Sequence, residues 1–400
     1  MRTEQALAQL LPAGDAKCDR ARLLAELSAY AKACVLEAQR RGPAIPGADE
    51  IARARVWLGH PVFLCGHHRS GTTLLHGLLD GHPELLVLPS EGTYFTSFRY
   101  VTGERPSVRL LEGFIAEWIA RFVDPNFEPH FRLGRSDETS QPYVDLARGF
   151  FGWHAALRVD APKSFAPLLA LVAAFKCAVH APEPRHWVEK TPLNERHVSR
   201  LEAFASAHYI QAVRHPATTL ASLRELYRGN VGGDFDAAGH ARAIANSLRL
   251  AHANQRRLEA RYLVVRYEDL TNATASEMAR VRAFLDLAPS ASLNLPTAGG
   301  SPLRSNSSFD RGDAGVVNRA RTVDLPPHAD TAAISVFAGN AARIFGYDIA
   351  RASAAKSLAV RLRDMPRRAF KWLRSGRLHS FIGRHPRPAQ RFAGNSPNDP

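Results

Sequence analysis

Residues 62–73 read Val-Phe-Leu-Cys-Gly-His-His-Arg-Ser-Gly-Thr-Thr, and this stretch decides the fold. The apolar run at 62–65 has the composition of a short buried strand, and Gly66 and Gly71 bracket the loop after it. From Thr72 onward the helical spacing of apolar residues is carried by Leu74, Leu75, Leu78 and Leu79. The stretch therefore predicts a strand, a glycine loop and a helix, whose inward N–H groups and helix N-terminus form an anion site.

The glycine spacing of this loop fits the phosphate-binding loop of nucleotide-binding proteins, but the usual lysine is missing. Thr72 stands in its place. Because that lysine reaches the β- and γ-phosphates, its absence argues against the tail of ATP as the bound anion. Arg69, inside the loop, supplies the positive charge instead.

The composition is that of a globular protein. The chain has 400 residues and is 45% hydrophobic, enough for one large domain with additions or for two domains. It has no apolar run of about 18 residues or more, which predicts no membrane-spanning helix, and its first residues do not resemble a signal peptide. The four scattered cysteines favour reduced thiols over a disulfide framework, and they lack metal-ligand spacing. These features predict a cytoplasmic protein without a metal.

The positive charge lies mainly in the last part of the chain. Residues 351–400 contain twelve Lys or Arg and two Asp or Glu, which gives +10 of the total net charge of +14. This distribution does not indicate a nucleic acid as partner of the main domain. Within the tail, apolar residues recur at helical spacing at Leu358, Leu362, Met365, Ala369 and Trp372. The pattern is typical of a basic amphipathic helix on an anionic membrane surface, kinked at Pro366, and a disordered basic tail is the alternative.

Five apolar segments in the middle of the chain have the composition of strands. They are Val62–Cys65, Leu85–Leu88, Trp187–Glu189, Tyr209–Val213 and Tyr262–Val265. Helical patterns lie between them, which predicts an α/β fold with a parallel sheet flanked by helices, like that of P-loop nucleotide kinases.

The predicted domain organisation has three parts. Residues 1–45 form a helical N-terminal cap, residues 46–350 the α/β domain and residues 351–400 the basic tail. Within the domain, residues 95–180 form an acceptor-side insertion rich in aromatic residues. Ordinary helix cores explain most of these rings, and a hydrophobic acceptor pocket is the alternative.

Polar side chains follow the predicted strands, and ligands of open α/β sheets bind beyond the carboxyl ends of strands. Glu91 follows the second strand, Lys190 the third and Tyr267 the fifth. After the fourth strand comes Arg214, and Ser222 would lie about two turns into the next helix. A guanidinium at a strand end and a hydroxyl on that helix would hold one phosphate from two sides.

Two anion sites and an aromatic ring suit a nucleotide that carries charge at both ends. Four motifs lie in order between residues 62 and 270: Arg69-Ser70-Gly71-Thr72-Thr73-Leu74-Leu75, Glu189-Lys190-Thr191-Pro192, Val213-Arg214-His215-Pro216 with Ser222, and Val265-Arg266-Tyr267-Glu268-Asp269-Leu270. In their order and spacing they resemble the sulfotransferase family, and its bacterial and tyrosylprotein branches in particular. Members use 3′-phosphoadenosine 5′-phosphosulfate (PAPS) as donor.

The resemblance implies how the donor would be held. The 5′-phosphosulfate would contact Arg69, Ser70, Gly71, Thr72 and Thr73. The 3′-phosphate would contact Arg214 and Ser222, and Tyr267 would lie near the adenine. A C-terminal donor-binding segment is predicted at residues 304–321, with Arg304, Ser307, Ser308 and Arg311 as its polar side chains.

The resemblance also implies the catalytic groups. Glu91 would be the base, and Lys190 and Arg69 would stabilise the transition state. A histidine is the alternative base, and the histidines near the right elements are His67, His68 and His186.

The expected reaction is in-line transfer of a sulfuryl group from PAPS to a hydroxyl of a carbohydrate, lipid or aryl alcohol, without a metal. A protein tyrosine is a further acceptor compatible with the tyrosylprotein branch. Two alternatives stay open, a P-loop phosphotransferase or NTPase, and a non-catalytic membrane-surface protein with a nucleotide-binding fold. Peripheral contact of the tail with the inner membrane surface also stays open, and the sequence does not indicate an oligomeric state.

Overall fold

A five-stranded parallel sheet forms the centre of the computed structural model, which describes residues 20–103, 105–124, 133, 140–158, 163–230, 235–304, 312–318 and 328–374. The strands are Pro61–Gly66 (β1), Leu85–Glu91 (β2), His186–Lys190 (β3), His208–Val213 (β4) and Tyr262–Arg266 (β5). Their spatial order is β2-β3-β1-β4-β5, and all four pairings are parallel. Each of the five predicted segments is a strand, and the predicted α/β class is confirmed.

Helices cover both faces of the sheet. They are Arg20–Arg41 (α1), Ala48–Leu58 (α2), Thr72–Leu79 (α3), Val108–Val123 (α4), Gln141–Leu157 (α5), Ala166–Ala178 (α6), Val198–Leu201 (α7), Pro216–Asn230 (α8), Ala237–Leu258 (α9), Tyr267–Asn272 (α10), Thr274–Phe284 (α11), His328–Arg343 (α12) and Ala354–Arg374 (α13). A small antiparallel pair, Thr297–Ala298 (β6) and Ser301–Pro302 (β7), follows α11. In the described part of the chain, no helix has the length and apolar character needed to cross a membrane.

Side chains of the central strands alternate between two cores, because successive residues of a strand point to opposite faces. On one face, Phe63 stacks on Tyr209 and meets Trp187 edge-on, with ring centroids 5.8 and 5.7 Å apart. On the other face, Val62 and Leu64 pack in a separate aliphatic core with residues of α3 and α11. The sheet is thus buried on both sides, as the continuous apolar runs of its strands predict.

The first core extends into the predicted insertion at 95–180, which contributes α4, α5 and α6. Its aromatic side chains are buried in this core at Phe114, Trp118, Phe122, Tyr143, Phe150 and Trp153. Phe151 is partly buried and packs against the same core. Phe127 and Phe131 lie outside the described residues. The rings therefore serve as helix cores.

Helix α1 from the predicted N-terminal cap packs into this same core. Tyr30 meets Tyr143 of α5 edge-on, with ring centroids 6.0 Å apart. Leu23 and Leu27 are buried, whereas Leu24 is 47% exposed. Residues 1–19 of the predicted cap lie outside the described residues.

The connection between α1 and α2 runs very close to α5. The Ala44 N–H donates to the Arg148 carbonyl oxygen at 3.0 Å, and Arg148 Nε donates to the Gly42 carbonyl oxygen at 3.0 Å. A Cβ on Gly152 would lie 1.8 Å from the Ala44 carbonyl oxygen. Only glycine at 152 allows this approach of the two backbones.

The basic tail begins with helix α13, which continues through Pro366, where the sequence predicts a kink. Residues 375–400 lie outside the described part. The structure describes Cys34, Cys65 and Cys177, which form no disulfide, and Cys18 lies outside the described residues.

Candidate active site

The glycine loop follows β1, and two close contacts constrain the conformation of its backbone. Gly66 and Gly71 have φ of 136° and 100°, a region that favours glycine. A Cβ on Gly66 would lie 2.5 Å from the Ala212 carbonyl oxygen of β4, and one on Gly71 would lie 2.4 Å from Cδ2 of Tyr267. The loop is therefore held between the ends of β4 and β5. Helix α3 starts directly behind it at Thr72, as predicted.

A buried carboxylate anchors the start of the loop. The Gly66 N–H donates to Glu195 Oε2 at 3.0 Å, and Ser247 Oγ of α9 donates to Glu195 Oε1 at 2.5 Å. Burial raises the pKa of Glu195. Sequence reasoning missed this residue, because a single glutamate after Lys190-Thr191-Pro192 gives no local sign that it folds beneath the loop.

Two arginines meet beside the loop. Arg69, itself at φ 67°, directs its Nε to Ser222 Oγ of α8 at 2.9 Å. Arg214 Nη1 donates to the Arg69 carbonyl oxygen at 3.1 Å, and its guanidinium lies 4.3 Å from the ring centroid of Tyr267. Burial lowers the pKa of both arginines, and the charge of Arg214 lowers that of Arg69 further. The structure thus brings the two predicted anion sites together, with Arg69 between them.

A cavity of about 260 Å³ opens over these residues. It is lined by His68, Arg69, Gly71, Thr72, Thr73, Leu74, Glu91, Pro192, Arg214, Ser222, Leu226, Tyr267, Pro296, Leu303, Val316 and Asn318. Among these described residues, Glu91 is the one carboxylate. Ser70 is buried outside the lining, and its Oγ and N–H both donate to the His67 carbonyl oxygen at 2.7 and 3.1 Å.

Two further predicted segments relate differently to this cavity. In the segment predicted at 304–321, Val316 and Asn318 line the cavity, while Ser307, Ser308 and Arg311 lie outside the described residues. No described residue of the insertion at 95–180 lines it.

Glu91 and Lys190 form an ion pair at the carboxyl ends of neighbouring strands. They are paired in the register of β2 and β3, and Lys190 Nζ lies 2.8 Å from Glu91 Oε1. The Lys190 side chain is 7% exposed, whereas that of Glu91 is 41% exposed. Burial alone would raise the pKa of Glu91, but the charge and hydrogen bond of Lys190 hold it below its usual range. The carboxylate is therefore ionised at neutral pH.

Buried Glu189 holds the backbone that follows Glu91. Its Oε1 accepts the Gly92 N–H at 2.9 Å and the Thr191 hydroxyl, and its Oε2 accepts Asn194 Nδ2 at 2.6 Å. A Cβ on Gly92 would lie 2.1 Å from Glu189 Oε1, so only glycine permits this contact. Burial raises the pKa of Glu189. The Glu189 carboxylate therefore joins β3 to the backbone that follows β2 through hydrogen bonds.

Arg121 of α4 fixes Glu91 from the other side. Its Nη1 donates to the Glu91 carbonyl oxygen at 2.6 Å, and its Nη2 donates to Thr93 Oγ1 at 3.2 Å. The guanidinium lies over the ring of Phe98, 4.6 Å from the centroid. Neither Glu189 nor Arg121 was predicted as a support, since only the tertiary fold brings them to Glu91.

The three candidate histidines occupy different positions. His68 lines the cavity, and burial lowers its pKa. His67 is buried beneath it, with Nδ1 2.9 Å from the His68 carbonyl oxygen, and burial lowers its pKa to about 4. His186 is the first residue of β3 and Lys190 the last, so they lie at opposite ends of the strand. The His186 ring is hydrogen-bonded to the His60 and Leu285 carbonyl oxygens at 3.2 Å each. His68 is thus the histidine placed beside Glu91.

Among the described residues, no group of His, Cys, Asp and Glu side chains has an arrangement that would hold a metal ion. The polar groups around the cavity are instead cations, hydroxyls and one carboxylate.

Comparisons with known proteins give one family. The model of the Sulfotransferase family matches residues 61–290, which include the sheet and every predicted catalytic and donor-binding residue from Arg69 to Tyr267. No curated protein matches the chain.

Three solved structures share similarity over most of the chain. The sulfotransferase domain of the Synechococcus PCC 7002 olefin synthase is 21% identical, with 73% of this chain and 97% of that one covered and a TM-score of 0.41. The sulfotransferase domain from the curacin biosynthetic pathway is 17% identical, with coverage of 73% and 99% and a TM-score of 0.43. Sulfotransferase STF9 from Mycobacterium avium is 16% identical, with coverage of 72% and 78% and a TM-score of 0.39.

Proposed function

Because this chain belongs to the Sulfotransferase family, whose members transfer a sulfuryl group from PAPS, we propose that the cavity beside the glycine loop binds PAPS, that Glu91 accepts the proton of the acceptor hydroxyl and that Lys190 stabilises the transition state. One observation carries the proposal. The loop, two guanidinium groups and the Glu91–Lys190 ion pair all meet at one edge of the sheet. This combination suits a nucleotide with two anionic ends and a proton-donating acceptor.

The donor is held by cations and backbone amides. The loop from Arg69 to Thr73 and the start of α3 would bind the 5′-phosphosulfate, since N–H groups and a helix N-terminus favour anions. Arg214 and Ser222 would bind the 3′-phosphate. Tyr267, stacked under Arg214, would contact the nucleoside near its adenine.

The reaction needs positioning and charge stabilisation more than covalent help from the protein. The acceptor oxygen attacks sulfur in line, the bond from sulfur to the 5′-phosphate oxygen breaks, and the acceptor proton passes to Glu91. Negative charge grows on the leaving oxygen, and Lys190 and Arg69 would stabilise it. Lys190 also keeps Glu91 ionised in the resting enzyme.

His68 is the second candidate for the base, because it lines the same cavity as Glu91. Its lowered pKa means that it is neutral at physiological pH and is able to accept a proton. Separate Glu91→Gln and His68→Asn variants distinguish the two residues. The variant that lacks the base should lose turnover while its affinity for the donor stays unchanged, and the other variant should keep its turnover.

The acceptor is proposed only as a hydroxyl of a carbohydrate, lipid or aryl alcohol. The aromatic rings of the insertion are used in the core, so they do not favour an aromatic acceptor. A phosphotransferase or NTPase is the less favoured alternative, because Thr72 replaces the lysine of its loop.

Binding of the bisphosphate product tests the proposal. We expect 3′-phosphoadenosine 5′-phosphate, without metal, to raise the melting temperature, and Arg214→Ala to weaken its binding by about 1.5–3 kcal/mol, as for hydrogen bonds to charged groups. Arg40→Ala is the matched control, since that side chain is 78% exposed on α1. Calorimetry measures both affinities. Stabilisation by ATP with magnesium alone, or equal product affinity in the Arg214 variant and the parent, would contradict the proposal.

A further inference from the structure

Helix α13 carries a stripe of apolar side chains that the rest of the described structure leaves uncovered. Leu358, Leu362 and Met365 are 58%, 56% and 62% exposed. Their spacing of four and three residues aligns them on one face of the helix. Large apolar side chains grouped in this way indicate a surface that meets an apolar partner.

The helix is fastened to the body through a different face. Asp364 is 4% exposed and forms an ion pair with Arg242 of α9, and Val360 is partly buried. On a helical projection, Asp364 and Val360 lie more than about 100° from Leu358, at 100° per residue. The ion pair therefore orients the apolar stripe away from the body.

The positive charge of α13 indicates which class of partner binds it. The helix contains seven Lys or Arg and one acidic residue, Asp364, whose charge is paired with Arg242. Lys356 and Arg361 are exposed, and Arg361 lies about 60° from Leu358 on the helical projection, at the border of the stripe. A nucleic acid would bind the cations but would leave the apolar stripe exposed. A protein surface of mixed charge would find no exposed carboxylate to pair with on the described part of this helix. An anionic lipid surface uses both features.

We propose that α13 docks the enzyme on the surface of an anionic lipid bilayer, with Leu358, Leu362 and Met365 entering the boundary between headgroups and acyl chains. Arg361, about 60° from Leu358 on the helical projection, borders the stripe and contacts the lipid phosphates, and Lys356 adds to the positive charge of the helix. The helix lies in the plane of the surface and does not span the bilayer. This docking is independent of donor binding, because α13 contributes no described residue to the donor cavity.

Flotation of the full chain with phosphatidylcholine vesicles, with or without one quarter phosphatidylglycerol, tests the proposal. We expect binding to the anionic vesicles to be about tenfold tighter or more than to the neutral ones, as for basic amphipathic helices. The Leu358→Glu/Leu362→Glu variant should lose at least about tenfold of that binding, since it removes the inserted surface. The control Leu36→Glu/Val56→Glu replaces apolar residues that are 56% and 67% exposed on α1 and α2 and should bind as the parent does.

The charged positions are tested separately with Lys356→Gln/Arg361→Gln, which should weaken binding to anionic vesicles and reduce its dependence on salt. Product affinity, measured on the same variants, reports whether the fold and donor site are intact, so failure of docking is distinct from failure of the proposed function. Unchanged vesicle binding by the Leu358/Leu362 variant, equal binding to neutral and anionic vesicles, or binding to duplex DNA in place of vesicles would overturn the proposal.

Discussion

Glu91 and Lys190 illustrate which properties of single residues are readable from sequence. Both were predicted at strand ends, because a strand and the polar residue after it are local features. Their ion pair depends on β2 lying next to β3, and the supports Glu189 and Arg121 depend on burial. These nonlocal features decide the orientation of Glu91, and the sequence alone does not specify them.

We expect Glu91→Gln to lower turnover by roughly a hundredfold or more, as loss of a general base does, while product affinity stays unchanged. The amide keeps the size of the side chain but does not accept the proton. A radiolabelled-donor assay measures turnover. Glu183→Gln is the control, since that carboxylate is 46% exposed, pairs with Arg53 of α2 and does not line the cavity. Full activity of the Glu91 variant would remove this residue from the mechanism.

His67 links stability to pH. Its pKa is about 4 in the folded protein against 6.5 for the free side chain, because burial disfavours the charged ring. Between these values the unfolded chain binds a proton that the folded chain does not, so stability is complete above pH 6.5 and falls as pH drops toward 4. The decrease in the free energy of unfolding approaches roughly 3 kcal/mol. Urea unfolding at several pH values should show a shallower acid loss in His67→Gln, and an unaltered pH slope would disprove this assignment.

At the scale of elements, the glycine loop and α3 follow the prediction from residues 62–73, since both are set by local backbone preferences. The packing between elements does not follow from local pattern. Gly152 lies within an ordinary helical pattern, and only the structure reveals that the 42–47 connection crosses α5 there. A glycine inside a helix gives no sign of whether it is needed for a close approach.

Two helical glycines should therefore respond oppositely to alanine. Gly152→Ala should destabilise the fold by about 1–3 kcal/mol, since the added methyl group overlaps the Ala44 carbonyl oxygen. Gly113→Ala on α4 should stabilise it by about 0.5–1 kcal/mol, because no atom lies within 4 Å of the new Cβ and alanine favours the helix. Thermal denaturation measures both. A stabilising shift in the Gly152 variant would show that the close approach at Gly152 is absent.

At the scale of the whole molecule, the class of the fold was predictable and the organisation of its core was not. Five apolar segments separated by helices indicate a parallel sheet, but strand order depends on pairings between distant residues. The sequence separates residues 1–45 as a cap. In the structure, α1 of this region shares one core with α4–α6 and the sheet, because Tyr30 and its neighbours are buried among them.

This shared core predicts that α1 unfolds together with the domain. Leu27→Ala, at a position 1% exposed, should lower the free energy of unfolding by about 2–5 kcal/mol within one cooperative transition. Leu24→Ala, at a position 47% exposed on the same helix, should change it by less than about 0.5 kcal/mol. Circular dichroism and tryptophan fluorescence follow the transition. An early separate transition in the Leu27 variant would indicate that α1 is an independent cap.

The hydrogen bond from Arg69 to Ser222 joins the glycine loop to α8 at the cavity that both residues line. The Arg69 guanidinium is thereby preorganised, and the rotamer of this side chain is already restricted before a nucleotide arrives. Little side-chain entropy remains to be lost on association, and the guanidinium exchanges a neutral hydroxyl for an anionic oxygen. We therefore expect the enthalpy change to dominate the free energy of donor binding, because the Arg69 side chain is already oriented and does not close over its ligand.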